Sequence, residues 1–176
     1  LTPELNSVIG SFCEHNKNLF DLVTLPKNEG LGNALAHGVP VCRNEIIARM
    51  DSDDYAFPTR MEKELAKMST YNLDMVGSQI VEFISDPEHP VAKSDLPIDQ
   101  QSIVAYSKLR NPFRHPSMVF RKSRVLNAGN YSADYLYFED WDLFNRMLAP
   151  GCKAANIDEP LVAMRVSPDF YARRGG

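Results

Sequence analysis

The chain has 176 residues, 44% of them hydrophobic and 24% charged, with a net charge of −4 and a pI near 5.6. That suits one globular domain with a sizeable core, and the acidic balance argues against a nucleic-acid-binding surface. Cys13, Cys42 and Cys152 lie far apart with no C-x-x-C pair, which excludes a disulfide framework or zinc site; no apolar run could span a membrane, no signal peptide is visible, and a reducing cytosol is the simplest home.

Thr2-Pro3-Glu4 opens a helix with a capping hydroxyl, Pro at the first helical position and an acid in the first turn, running to about His15. Residues 20–25 are a short β-rich run stopped by Pro26, and Asn28-Glu29-Gly30 is a turn. A helix follows from Leu31 until Gly38-Val39-Pro40 ends or kinks it, and 45–50 is a strand. This alternation predicts an α/β fold with a mainly parallel sheet. Thr59–Thr70 is an amphipathic helix with Met61, Leu65 and Met68 on its apolar stripe. Residues 74–84 form a long strand or a strand pair, with Gly77 at a bulge. Residues 85–98 are a loop with His89 on the surface, and 99–108 a short helix. A strand at 117–121 and a short helix at 123–128, stopped by Gly129, come next. Residues 139–148 are the last strong helix, its buried face marked by Trp141, Phe144, Met147 and Leu148; 160–166 is a closing strand and Arg173-Arg174 a basic tail. The opening at Leu1 and the end at Gly176 read as those of a fragment.

The chemistry concentrates after the strand at 45–50. Met50-Asp51-Ser52-Asp53-Asp54 places three carboxylates within four residues. In extended backbone Asp51 and Asp53 share a face, where like charges repel unless a cation lies between them. Oxygen-only ligands suit Mg²⁺, Mn²⁺ or Ca²⁺ rather than Zn²⁺. A solvated acidic turn is the plainer alternative. An EF-hand loop is excluded, because the sixth position, which needs Gly, holds Ala56, and no helix leads in. Glu139 and Asp140 stand in the first turn of a helix, where its dipole alone would account for acids.

Several marks occur together and in order: Asn28-Glu29-Gly30-Leu31-Gly32; Ala48 to Asp54 with Pro58 and Arg60; Val76-Gly77-Ser78; His115 to Lys122; Ala128 to Tyr131; Glu139-Asp140-Trp141-Asp142-Leu143; and Arg165-Val166-Ser167. Their spacing resembles glycosyltransferase family 2, in the variant of bacterial exopolysaccharide and capsule synthesis, amylovoran-type enzymes included. The resemblance implies a GT-A, Rossmann-like fold. It also implies inverting transfer from a nucleoside-diphosphate sugar, a UDP-sugar in the first instance, to a glycan or lipid-linked acceptor. By that match Asp51 and Asp53 hold Mn²⁺ or Mg²⁺ against the diphosphate, and Asn28, Gly30, Arg49 and Arg165 belong to the donor side. Asp140 is the general base, Glu139 helps position the acceptor, and His115 and Trp141 line the acceptor side. Residues 1–58 become a donor/metal half and 59–176 an acceptor half. The chemistry fits: a metal neutralises the departing diphosphate and a carboxylate deprotonates the attacking hydroxyl.

The sequence departs from the family where an Arg-Asn pair is replaced by Leu35-Ala36, and where Ser167 replaces a His. It also begins in the helix that follows the family's first strand–helix–strand, which predicts a missing base-reading subsite and an exposed sheet edge prone to self-association. A peripheral position at the inner face of the membrane is a further expectation. A non-catalytic nucleotide-sugar or glycan-binding module on the same scaffold is the alternative function.

Overall fold

The computed structural model describes residues 2–167, so Arg173-Arg174 lies outside the described residues. Helix α1 (Pro3–His15) starts as its cap dictates, with Leu5 N donating to Thr2 Oγ1 at 3.3 Å. Residues 20–25 do not form the expected strand. Phe20, Leu22 and Val23 are exposed, and Asp21 is drawn into a 2.8 Å ion pair with Arg43. Helix α2 (Leu31–Val41) accommodates Pro40 in its last turn. The chain continues through β1 (Ile46–Ala48), β2 (Tyr55–Ala56), α3 (Arg60–Tyr71), β3 (Met75–Phe83), β4 (Ala92–Lys93) and α4 (Gln100–Ser107). A 3₁₀ turn at His115–Ser117 leads into β5 (Val119–Arg121), followed by α5 (Lys122–Asn127), α6 (Glu139–Leu148) and β6 (Ala154–Arg165).

The strands form one sheet in the order β1-β5-β3-β6-β2, with β4 also on β3. The mainly parallel sheet expected from the alternation of elements is in fact mixed. Among the described residues β3–β6 pair in parallel, while β1–β5, β3–β5, β2–β6 and β3–β4 are antiparallel. Sequence alternation orders the elements, but it does not dictate which strands become neighbours. Here β2 crosses to the far edge instead of lying beside β1.

Helices cover both faces, and the strands alternate accordingly. Met75, Phe120 and Ala154 face the larger core with Ile103, Phe144 and Met147; their chain neighbours Val76, Val119 and Ala155 face the smaller one, under Met68. Strand β6 begins well before the expected residue 160. Ile157 sits opposite Ser78 but Pro160 opposite Gln79, so Asp158 and Glu159 are pushed out as a bulge, where a residue without an N–H is tolerated. The irregularity thus falls just after Gly77. Gly77 serves close packing instead, since a Cβ there would come within 2.5 Å of Asn156 Oδ1.

Helix α3 buries only Met68 of its expected stripe. Met61 and Leu65 are exposed, and the buried positions are Arg60, Glu64 and Met68. Burial is possible because the charges meet: Arg60 Nε lies 3.0 Å from Glu64 Oε2, and Arg60 also donates to the Arg49 carbonyl at 2.9 Å. The outer side of β1 has no strand partner among the described residues.

Candidate active site

Strand β1 stops at Ala48, so Asp51 and Asp53 lie in a turn rather than on one face of a strand. The feet of that turn stand on different strands. Arg49 N donates to the Met118 carbonyl beside β5 at 2.8 Å, and β2 pairs with β6. Arg165, at the end of β6, closes the turn from outside. Its N–H donates to Asp54 Oδ1 (2.8 Å) and its guanidinium to the carbonyls of Asp53 and Ile84 (each 3.1 Å), and it rests over the Phe83 ring.

The turn forms one side of a cleft of about 700 Å³ at the carboxyl ends of β1, β3 and β6, a usual ligand position in an α/β sheet. The start of α6 and the segment 109–116 supply much of the rest. Arg49, Asp51, Asp53, His115, Glu139, Asp140, Trp141 and Arg165 all line this cleft. Asn28 and Gly30 are not among its lining residues. Asn28 Oδ1 accepts the Gly30 N–H at 3.0 Å, and Gly30, at φ +91°, turns the chain into α2.

Two donors favour the ionised form of Asp140, Asn111 Nδ2 at 2.8 Å and the Trp141 N–H at 2.7 Å. Burial nevertheless raises its pKa, with the neighbouring Glu139 charge adding to the rise. A carboxylate so placed is a stronger proton acceptor than a solvated one. Trp141 Nε1 donates to the Ser107 carbonyl at 2.9 Å, fixing the indole at the cleft wall. His115 is buried and shares a 2.8 Å hydrogen bond with the Tyr131 hydroxyl, whose pKa burial raises.

Both oxygens of Asp51 accept from the Arg49 guanidinium, Asp53 is exposed, and Asp54 Oδ2 is buried without a hydrogen-bond partner. Burial pushes the Asp54 pKa up to about 6, assisted by the charges of Asp51 and Asp53. No three His, Cys, Asp or Glu side chains among the described residues converge into a self-contained metal cage. An oxygen-only cluster with one orphaned buried oxygen fits a hard cation held jointly by one or two carboxylates and a bound phosphate.

A family model, Glycosyl transferase family 2, matches residues 2–129. The chain belongs to that family. Two bacterial relatives are similar over nearly the whole chain. It is 40% identical to the Escherichia coli UDP-Gal:alpha-D-GlcNAc-diphosphoundecaprenol beta-1,3-galactosyltransferase, over 100% of the chain and 63% of that protein. It is 35% identical to the amylovoran biosynthesis glycosyltransferase AmsE of Erwinia amylovora, over 90% of the chain and 60% of that protein. The chain therefore spans about three-fifths of the length of these curated relatives. Among solved structures it resembles S. aureus TarS 1-349 in complex with UDP, with a TM-score of 0.71 at 15% identity, over 98% of this chain and 50% of that one. It also resembles the mannosyltransferase PcManGT of Pyrobaculum calidifontis in complex with GDP-Man and Mn²⁺, with a TM-score of 0.70 at 15% identity, over 98% and 48%. These likenesses bear out the GT-A α/β fold.

Sequence reasoning on this family 2 chain missed Asn111, Glu82, Arg110 and Arg114, all of which line the cleft. Asn111 reaches Asp140 across 29 residues, and no local pattern announces such a pair.

Proposed function

We propose that this chain carries the catalytic core of an inverting glycosyltransferase. It would move a sugar from a nucleoside-diphosphate sugar to a glycan or lipid-linked saccharide. The observation that carries this reading is one cleft holding both the Asp51–Asp54 turn and the half-buried, doubly hydrogen-bonded Asp140. Asp140 takes the proton of the acceptor hydroxyl as its oxygen bonds to the anomeric carbon. The bond from that carbon to the diphosphate breaks, and the nucleoside diphosphate leaves with the electron pair. A single in-line displacement of this kind inverts the anomeric centre. Glu139, buried beside Asp140, positions the acceptor together with Trp141 and His115. Asp51 and Asp53 would hold Mn²⁺ or Mg²⁺, which neutralises charge on the leaving diphosphate. Arg49 balances Asp51 until the donor arrives, and Arg165 keeps the turn in shape.

The UDP of TarS and the galactosyl transfer in the name of the E. coli relative support a UDP-sugar donor. The relative's diphosphoundecaprenol substrate supports a lipid-linked diphosphate acceptor. A peripheral position at the inner membrane face follows from such an acceptor; among the described residues no helix is long and apolar enough to cross a membrane. In this reading residues 1–58 form the donor/metal part and 59–176 the acceptor part. The test is nucleotide release and sugar transfer from a panel of UDP- and GDP-sugars, with Mn²⁺ or with chelator. Asp140→Asn should lower turnover by roughly 10²–10⁴-fold with donor binding intact. Near-normal turnover in that variant would leave Asp140 only as a first-turn acid that offsets the helix dipole.

A further inference from the structure

The cleft contains two cations that the donor chemistry leaves unused. Arg49 is committed to Asp51 and Arg165 to backbone carbonyls. Arg110 and Arg114 also line the cleft, but neither side chain makes an ion pair or hydrogen bond with another described residue. Arg114 Nε is moreover buried without a partner, an arrangement that costs stability unless a ligand anion completes it.

The segment carrying these arginines is fastened to the base side of the cleft. Ser107 accepts from the Trp141 indole, and Asn111 donates to Asp140. Arg110 therefore precedes, and Arg114 closely follows, a residue bonded to the base. The same rim is apolar. Leu109 is 82% exposed, and Tyr135, Leu136, Tyr137 and Phe138 are each more than half exposed just before α6. Tyr137 sits at φ +68°, a left-handed backbone that is costly for a bulky residue and is retained where surroundings or function require it. Tyr137 and Phe138 reach into the cleft itself.

The geometry points to an acceptor subsite for the diphosphate of a lipid-linked sugar. Arg110 and Arg114 clasp the phosphates, and Leu109 with the 135–138 run covers the first part of the hydrocarbon chain. Guanidinium pairs suit phosphate oxygens, and aromatic side chains suit a surface that is apolar at one end and wet at the other. A charged clasp beside a greasy rim matches an amphiphile whose anion adjoins its tail. A free glycan acceptor has neither. This assignment rests on the transferase reading for its meaning, but its test does not.

Trp141 is the only tryptophan of the chain and lines the cleft, so its fluorescence reports binding directly. The native-length protein is titrated in chelator with dodecyl diphosphate, dodecanol, inorganic pyrophosphate and phosphatidylglycerol vesicles. Dodecyl diphosphate should bind tighter than either pyrophosphate or dodecanol alone. Arg110→Gln and Arg114→Gln should each weaken it about tenfold or more, the equivalent of ~1.4 kcal/mol. Leu136→Ser with Tyr137→Ser should weaken dodecyl diphosphate but leave pyrophosphate unchanged. UDP binding with Mn²⁺ should stay within about twofold in the arginine variants. Three results would each overturn the assignment: unchanged dodecyl diphosphate affinity in both arginine variants; an equal loss of UDP affinity, which would move the arginines to the donor side; or vesicles replacing dodecyl diphosphate while pyrophosphate has no effect, which would make the rim a membrane-surface contact. Wild-type protein that binds dodecyl diphosphate but no nucleoside diphosphate with Mn²⁺ would refute the donor reading and leave the subsite standing.

Discussion

Helix α2 carries two glycines that should respond to the same substitution in opposite ways. A Cβ on Gly32 would lie 2.3 Å from the Ser132 carbonyl oxygen and 3.1 Å from Glu139 Cβ, whereas a Cβ on Gly38 would meet nothing within 4 Å. Carbon–oxygen contacts settle near 3.3 Å or beyond, so Gly32→Ala must open the α2–Ser132 contact by about 1 Å. Overpacking of this kind costs roughly 1–3 kcal/mol, against a helix-propensity gain of about 1 kcal/mol common to both sites. The net loss for Gly32→Ala is then up to about 2 kcal/mol, while Gly38→Ala gains up to about 1 kcal/mol. For a domain of this size each kcal/mol moves Tm by about 2–4 °C. Gly38→Ala should melt a few degrees above wild type, and Gly32→Ala at or below it. The larger effect is on activity. Ser132 and Glu139 give way together, and a displacement of about 1 Å at the reacting groups can cost about 10²-fold. Thermal melting and nucleotide release measured on both variants are the assay. A Gly32→Ala protein as stable and as active as Gly38→Ala would refute the tight seating of α2 against the first turn of α6.

Two further predictions concern titration. The Asn111 hydrogen bond lowers the Asp140 pKa, so Asn111→Ala should shift the acidic limb of the kcat/KM profile to higher pH; an unmoved limb would separate Asp140 from the rate. Burial raises the Glu64 pKa from 4.5 to about 7 despite Arg60. The folded state then binds the extra proton, and stability falls as pH rises between those values. The unfolding free energy of wild type minus that of Glu64→Gln should fall across that window and flatten above it. A rising or flat difference in denaturant titrations would contradict this.

The helices were largely legible because their signals are local: Thr2 caps α1, Asp99 caps α4, and the apolar residues of α6 fall on one face. The carboxylates were legible as chemistry because both acidic clusters are contiguous in sequence. The sheet was less so, since Pro160 concealed the fact that β6 had already begun at Ala154, and pairing direction is settled by distant partners. Helix α3 misled because an Arg60–Glu64 pair can take the buried places expected for Met61 and Leu65, provided a carbonyl such as that of Arg49 receives the remaining donor. Arg165 was legible as a donor-side or ion-pairing cation; it lines the cleft, and its observed bonds brace the acidic turn. No spacing rule reports a contact made across 112 residues.

That same brace bears on how the protein acquires its site. The bonds from Arg165 to Asp53 and Asp54 close loops of 112 and 111 residues, and they require β6 to be already docked on β3. Such long closures pay their entropy before any contact rewards them. The acidic turn should therefore take shape late, after the central strands have paired. In pulse-labelled hydrogen exchange during refolding, the Arg165 amide should gain protection after those of Val76 and Ile80. A nascent chain would then show no organised cluster of carboxylates until Arg165 has emerged and β6 has docked, which spares it from capturing divalent cations in a half-formed state.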